Sequence, residues 1–373
     1  MVAPRMSLLF GSLAWLLASA LPSAAPLALA GAVNADAGVE YDSNASRISP
    51  SPASDLLVRG GPLLRGTAGG QLVYAGERQR LRAQLQVGGK VFLLPTLQDQ
   101  DVGVVLGSYE HGLRLLPEGR LRLLGFADYY EAFQAPASLA ESRDFRSLSA
   151  GARLTGTREL PATPQHRIDG GLDLGVQYFA FKPDEAFTFL APSLASRLNL
   201  LLHAGDPELG HDFDLGVHLR ADYRGYMFGR SDLFIQGGGG LTWQGQVLLQ
   251  LGYLVQLALS NLEGESYQRH LILAKLSFRL PGDFYVTAKA QINLLQGAPG
   301  LYVPVSNIDD DNRSLALLHI ERPLPHGLSF VLRYTGYFSL PGDRSGGSGA
   351  ATESYQRHTG YLGLSYSYKA KRR

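Results

Sequence analysis

The chain has 373 residues, 34 basic against 33 acidic side chains, and no cysteine. That balance excludes a nucleic-acid-type basic field, and the missing thiols exclude disulfides, thiolate metal sites and cysteine nucleophiles. Mean hydropathy near zero excludes a bundle of membrane helices. It does not exclude a transmembrane barrel, because half of each barrel strand faces a polar interior.

Residues 1–30 stand apart. Arg5 precedes an apolar run from Leu8 to Leu21, and Ala28-Leu29-Ala30 forms a small-x-small cleavage pattern before Gly31. Together these predict a secretory signal peptide over 1–30, with the mature domain spanning 31–373.

Beyond Gly31 the apolar residues recur with period two. Between Arg80 and Val91, Leu81, Ala83, Leu85, Val87 and Val91 oppose Arg80, Arg82, Gln84, Gln86 and Lys90. Phe213, Leu215, Val217, Leu219, Ala221 and Tyr223 likewise oppose Asp212, Asp214, His218, Arg220, Asp222 and Arg224. Val286, Ala288, Ala290, Ile292 and Leu294 oppose Thr287, Lys289, Gln291 and Asn293. Phe330, Leu332, Tyr334 and Phe338 oppose Ser329, Arg333, Thr335 and Tyr337. A helix would scatter these charges around its circumference; a strand sorts them onto one face.

Such segments begin near Val33, Leu63, Arg80, Asp101, Arg120, Asp144, His166, Phe187, His211, Asp232, Val247, Tyr267, Phe284, Asn312, Leu328 and Glu353. The expected fold is all-β: one transmembrane antiparallel up-and-down β-barrel of about sixteen strands, with about fourteen to eighteen allowed. The stretch from Leu56 to Tyr74 is the ambiguous part of the count. Connections after even-numbered strands are short, whereas Ala45 to Pro62, Gly297 to Asp311 and Leu340 to Thr352 all follow odd-numbered ones. Short periplasmic turns with long outer loops are the asymmetry of a bacterial outer-membrane barrel, so both termini are expected in the periplasm.

The face opposite the apolar one sets the candidate lumen. A charge on the lipid side costs about 2–4 kcal/mol at midplane, so the strand charges are expected to point inward. Arg82, Arg146, Arg220, Asp222, Arg224, Lys289 and Arg333 are among them, with basic groups outnumbering acids, which suits an anionic or hydroxylated solute. The inward phase also collects Tyr109, Phe126, Tyr130, Phe179, Tyr226, Phe234, Tyr285 and Tyr337. Aromatic faces beside polar groups suit sugar rings, and lumen packing accounts for them nearly as well. A hexapeptide repeats: Glu265-Ser266-Tyr267-Gln268-Arg269-His270 returns as Glu353-Ser354-Tyr355-Gln356-Arg357-His358. It places Tyr267 and Tyr355 near the outer rim with Arg269 and Arg357 inward, either as girdle tyrosines plus a charge ladder or as rim contacts for a solute. Gly237 to Gly240 marks a bend or a close backbone approach rather than a phosphate loop.

For enzymology the chain offers little. The histidines show no HExxH spacing, and no serine sits in G-x-S-x-G, so no catalytic, cofactor or metal residues are expected.

The last segment, Thr359 to Tyr368, carries Tyr361-x-Gly363-x-x-Tyr366-x-Tyr368, which resembles the closing strand of bacterial outer-membrane β-barrels. In those proteins the assembly machinery engages that strand. The opening segment Gly38 to Arg47 and the closing Tyr355-x-Arg357 resemble the two ends of barrels that follow repeat domains, among them exopolysaccharide-export porins of the poly-N-acetylglucosamine type and surface lipoprotein assembly modifiers. Those families carry a tetratricopeptide domain that this chain lacks between Gly31 and its first strand. The resemblance implies an outer-membrane conduit for a secreted polysaccharide, partnered by lipid, by the barrel-assembly machinery and by separate periplasmic export proteins. An uptake porin and a non-conducting adhesin or assembly barrel are the alternatives.

Overall fold

The structure is a computed structural model describing residues 28–44, 60–116, 120–134, 145–160, 166–182, 185–203, 212–263, 265–296, 314–338 and 356–371. Sixteen strands carry nearly all of them. The first eight are β1 (Ala28–Asp42), β2 (Gly61–Ala75), β3 (Gln79–Phe92), β4 (Val102–Arg114), β5 (Leu121–Gln134), β6 (Phe145–Leu160), β7 (His166–Lys182) and β8 (Phe189–His203). The second eight are β9 (Asp212–Tyr226), β10 (Ser231–Gln244), β11 (Val247–Ser260), β12 (Tyr267–Leu280), β13 (Phe284–Gln296), β14 (Ser314–Pro323), β15 (Leu328–Phe338) and β16 (Gln356–Lys371). Every strand pairs antiparallel with its chain neighbours, and β1 pairs with β16 from Ala30↔Lys371 to Asp42↔Thr359, closing the barrel. Closure removes the free edges that an open sheet would expose.

The expected strand starts coincide with these to within two or three residues, except β1, which begins five residues early. Its first residues, Ala28, Leu29 and Ala30, pair with Ala75, Tyr74 and Val73 of β2; the rest of the expected leader lies outside the described residues. Of the ambiguous stretch from Leu56 to Tyr74, residues 61–74 belong to the single strand β2, and 56–59 lie outside the described residues.

No helix among the described residues is long and apolar enough to cross a membrane, so any crossing by these residues is made by strands. The outer face suits that. On β7, β8 and β9 alone, Leu172, Leu174, Val176, Leu190, Leu194, Leu198, Leu215, Val217 and Leu219 form a contiguous exposed aliphatic sheet. A patch of that extent in water would drive aggregation, and hydrocarbon is its matching environment. Aromatics bound the band. Phe213 stacks on Trp243 with centroids 6.3 Å apart near the short-turn end. Toward the other end, Tyr253 and Tyr334 each hydrogen-bond the Nδ1 of a histidine, His270 and His358, at 2.7 Å. Those two histidines are the last residues of the duplicated hexapeptide, so both copies build the same outward Tyr–His pair.

Register corrects three orientations. Tyr109 lies opposite Ala83 and Ala127 on the outside, because its neighbours Ser108 and Glu110 share the face of the inward Asp128 and Arg82. Arg146 also points outward, at the rim, where it pairs with Glu131 at 2.5 Å. Tyr267 is not a girdle residue: it faces inward beside Gln256 and Phe234. Tyr355 lies outside the described residues.

Candidate functional site in the lumen

The side chains lining the barrel interior divide into a packed seam, an aromatic arc and a basic row. The seam lies where β16 meets β1. Asp42 is 1% exposed and Arg357 4%, and they form a bidentate pair, Nε to Oδ1 at 3.0 Å and Nη2 to Oδ2 at 2.6 Å. Glu40, equally buried, accepts from Lys90 at 2.9 Å and from Arg65 at 3.0 Å. Tyr361 lies beneath them, its hydroxyl donating to Asp36, and Arg333 sits 4.9 Å above its ring. The tyrosine fits because Gly363 faces it, where a Cβ would come within 2.2 Å of the Tyr361 hydroxyl; Gly38 lets β1 approach β16, since a Cβ there would come within 2.2 Å of the Leu362 backbone oxygen. Asp42, Arg357, Glu40, Lys90 and Arg65 each have an opposite partner here, as burial requires.

The arc occupies the wall from β7 to β12 in the third of the barrel nearest the long connections. Phe179 stacks on Phe189 at 5.0 Å, Phe189 meets Tyr226 at 5.3 Å, and Phe234 meets Tyr267 at 6.5 Å. The Arg224 guanidinium bridges the two halves, 4.9 Å from the Phe189 centroid and 3.9 Å from that of Phe234. Such cation–aromatic contacts contribute about 0.5–2 kcal/mol each. Around the arc Arg220 pairs with Asp222 at 2.8 Å, Arg230 with Asp232 at 2.8 Å, and Arg269 donates to Asn293 at 2.9 Å. Tyr337 faces this region from β15, with Arg357 over its ring at 5.4 Å.

Below the arc the wall is polar and open. Gln84, Gln86, Asp128, Arg197, Asp214 and His218 all face inward and all are exposed. Exposure on the inner face of a closed barrel means that, among the described residues, the lumen is solvated rather than filled by side chains. A recess of about 320 Å³ on the β3–β6 wall, lined by Gln84, Gln86, Ser108, Asp128, Tyr130, Ser147 and Ser149, opens into it. Among the described residues no three His, Asp or Glu side chains come together as a metal-ligand set.

The structure therefore places Arg82, Tyr130, Arg220, Asp222, Arg224, Tyr226, Tyr267, Arg269, Lys289, Arg333, Tyr337 and Arg357 on the inner face. It gathers Arg220 to Tyr226 with Tyr267 and Arg269 in the arc, and Arg333, Tyr337 and Arg357 at the seam; Arg82 and Tyr130 stand on the opposite wall. Sequence reasoning missed Phe189 as an arc member and Tyr361 as a seam residue. Phe189 had a usable signal, the inward phase it shares with Ala191 and Ser193.

No family model and no curated protein matches the chain. Its structural neighbours are bacterial outer-membrane β-barrels. CdiB from Acinetobacter baumannii is 12% identical with a TM-score of 0.45, the match covering 93% of this chain but 61% of CdiB. OmpF of Salmonella typhi, in complex with daunomycin, is 10% identical with a TM-score of 0.46, covering 92% of this chain and 97% of OmpF. A bacterial polysaccharide outer-membrane secretin is 10% identical with a TM-score of 0.39, covering 92% and 98%. At such scores the likeness is one of barrel with barrel and reaches no solute.

Proposed function

We propose that this chain is a passive outer-membrane channel through which a polysaccharide is secreted. The observation that carries the reading is the aromatic–arginine arc, Phe179, Phe189, Tyr226, Phe234 and Tyr267 around Arg224, set above a solvated lumen. Sugar rings present C–H faces that lie on aromatic planes and hydroxyls that bond the flanking Arg, Asp and Gln side chains. Many weak contacts with no deep trap let a chain both enter and leave. The apolar outer band supports an outer-membrane site, and the placement of the three longest connections supports periplasmic termini.

Reconstitution in planar bilayers tests the conduit. Stable single-channel steps, transiently blocked by oligosaccharides and less so after Phe189→Ala with Phe234→Ala, are the expected result; a silent, unblockable barrel would sink the proposal. Deletion in the producing cell should abolish surface polysaccharide with small-solute uptake intact. The reverse pattern would make the protein an uptake porin.

A further inference from the structure

The basic row lies outside the arc and shares only Arg333 with the seam. Lys275 of β12 stands directly opposite Lys289 of β13. Thr287, the next inward residue of β13, faces His319 of β14, and His319 faces Arg333 of β15. Four consecutive strands thus each present a nitrogen base to the lumen at mid-height. Neighbouring strands lie about 4.8 Å apart, and like charges directly opposite across an antiparallel pair destabilise it. Among the described residues no carboxylate lies within ion-pair distance of Lys275, Lys289 or Arg333; only His319 has one, Glu321 at 3.7 Å.

One feature concentrates this field. On two of the four strands the inward residues just above the row are leucines, Leu271 and Leu273 on β12 and Leu315 and Leu317 on β14, with Leu317 directly opposite Lys289; Gln291 of β13 and Thr335 of β15 stand beside them. A charged strip beside low-dielectric wall attracts counter-ions by about tenfold or more. The facing wall, about eight strands away, is mixed in sign: Glu110, Asp128 and Asp173 point inward from β4, β5 and β7, and Arg82, Arg122 and Arg153 from β3, β5 and β6. An anion in the lumen meets like positive charges side by side at this row, Lys275 against Lys289, where its own charge relieves their opposition.

We infer that the Lys275–Lys289–Arg333 row is a binding station for the carboxylates of an acidic saccharide. This rests on the conduit reading and narrows it: the rings lie on the aromatic arc, and the acidic groups are read one level below. A neutral or amino-sugar polymer would leave the row unused.

The test uses the full mature chain in bilayers, with trigalacturonate, maltotriose and inorganic phosphate as probes. Trigalacturonate is expected to block at a concentration about tenfold lower than maltotriose. Lys275→Gln with Lys289→Gln should erase that difference and remove anion selectivity in a salt gradient, while Lys275→Arg with Lys289→Arg retains both. Resistance of the unheated band to SDS confirms that each variant is folded. Equal block by trigalacturonate and maltotriose, or no effect of the Gln pair, overturns the station. Phosphate matching trigalacturonate overturns the saccharide class. A barrel that passes no current overturns the conduit alone. In that event calorimetry of trigalacturonate on the detergent-solubilised protein decides: saturable binding lost in the Gln pair upholds the station, and absence of binding removes it.

Discussion

At the scale of single residues, the most consequential contact is one that no local pattern shows. Arg357 attracts notice because it belongs to the repeated hexapeptide, and its inward phase follows from alternation. Its partner Asp42 stands 315 positions away in sequence and meets it only because the first strand closes on the last. The same holds for Glu40 with Lys90, where inward phase is legible for each and the pairing is not. Removing one member of a buried ion pair leaves the other charged and unpaired, at about 3–5 kcal/mol. Asp42→Asn and Arg357→Gln are therefore each expected to destabilise the barrel by about 3 kcal/mol in urea unfolding from lipid vesicles. Replacing both by leucine should cost less than either alone. Losses below 1 kcal/mol for the single variants would show that the seam is wetter than the structure draws it.

Between residues and whole molecule stand the strands and turns, and here alternation read most of the structure. It failed where its physical basis fails. β4 carries aliphatics on both faces, Val104 and Leu106 inward and Val105 outward, so its phase was ambiguous and Tyr109 was placed on the wrong side. Arg146 sits at the rim, beyond the hydrocarbon, where an outward charge costs little. In mid-strand the rule is strict. Leu194→Arg on the outer face of β8 should cost about 2–4 kcal/mol, while Ala195→Arg, one residue along and facing the lumen, should be tolerated. Equal effects would mean that the outer face does not meet lipid.

Turn chemistry gives a second prediction at this level. Pro281-Gly282-Asp283 joins β12 to β13 with two consecutive residues in the left-handed region, Gly282 at φ 81° and Asp283 at φ 62°. Glycine takes that conformation freely and aspartate tolerates it; a β-branched residue does not, at about 1–2 kcal/mol. Asp283→Val should therefore slow hairpin formation and lower stability, with Asp283→Asn close to neutral. The Arg279 guanidinium donates to the Asp283 carboxylate and holds its pKa below the usual 3.8. A depressed carboxyl favours the folded state above its ordinary pKa, and that preference is lost as pH falls through the lowered value. An NMR titration should find Asp283 titrating below 3.8 and returning toward it in Arg279→Gln. An unshifted Asp283 would show that the pair is broken in solution.

For the molecule as a whole, period-two alternation and the strand count pointed to one closed antiparallel barrel, and a barrel leaves little else to decide about topology. The proposed orientation across the membrane rests on a different kind of observation, the unequal lengths of the connections. The three longest, residues 43–60, 297–313 and 339–355, all leave from the end where odd strands finish, while three-residue turns such as 76–78 and 281–283 lie at the other. Barrels inserted from the periplasm must carry their outer connections through the bilayer once, after which those connections are free to be long; the inner turns stay tight because each closes a hairpin. The chain contains no native cysteine, so a single introduced thiol reports its own position. Asn261→Cys in the β11–β12 connection should react with a membrane-impermeant maleimide on intact cells. Gln246→Cys in the β10–β11 turn should react only after the outer membrane is opened. Labelling with the opposite polarity would invert the barrel, placing the aromatic arc at the periplasmic mouth, where it would meet an exported chain on entry rather than on exit.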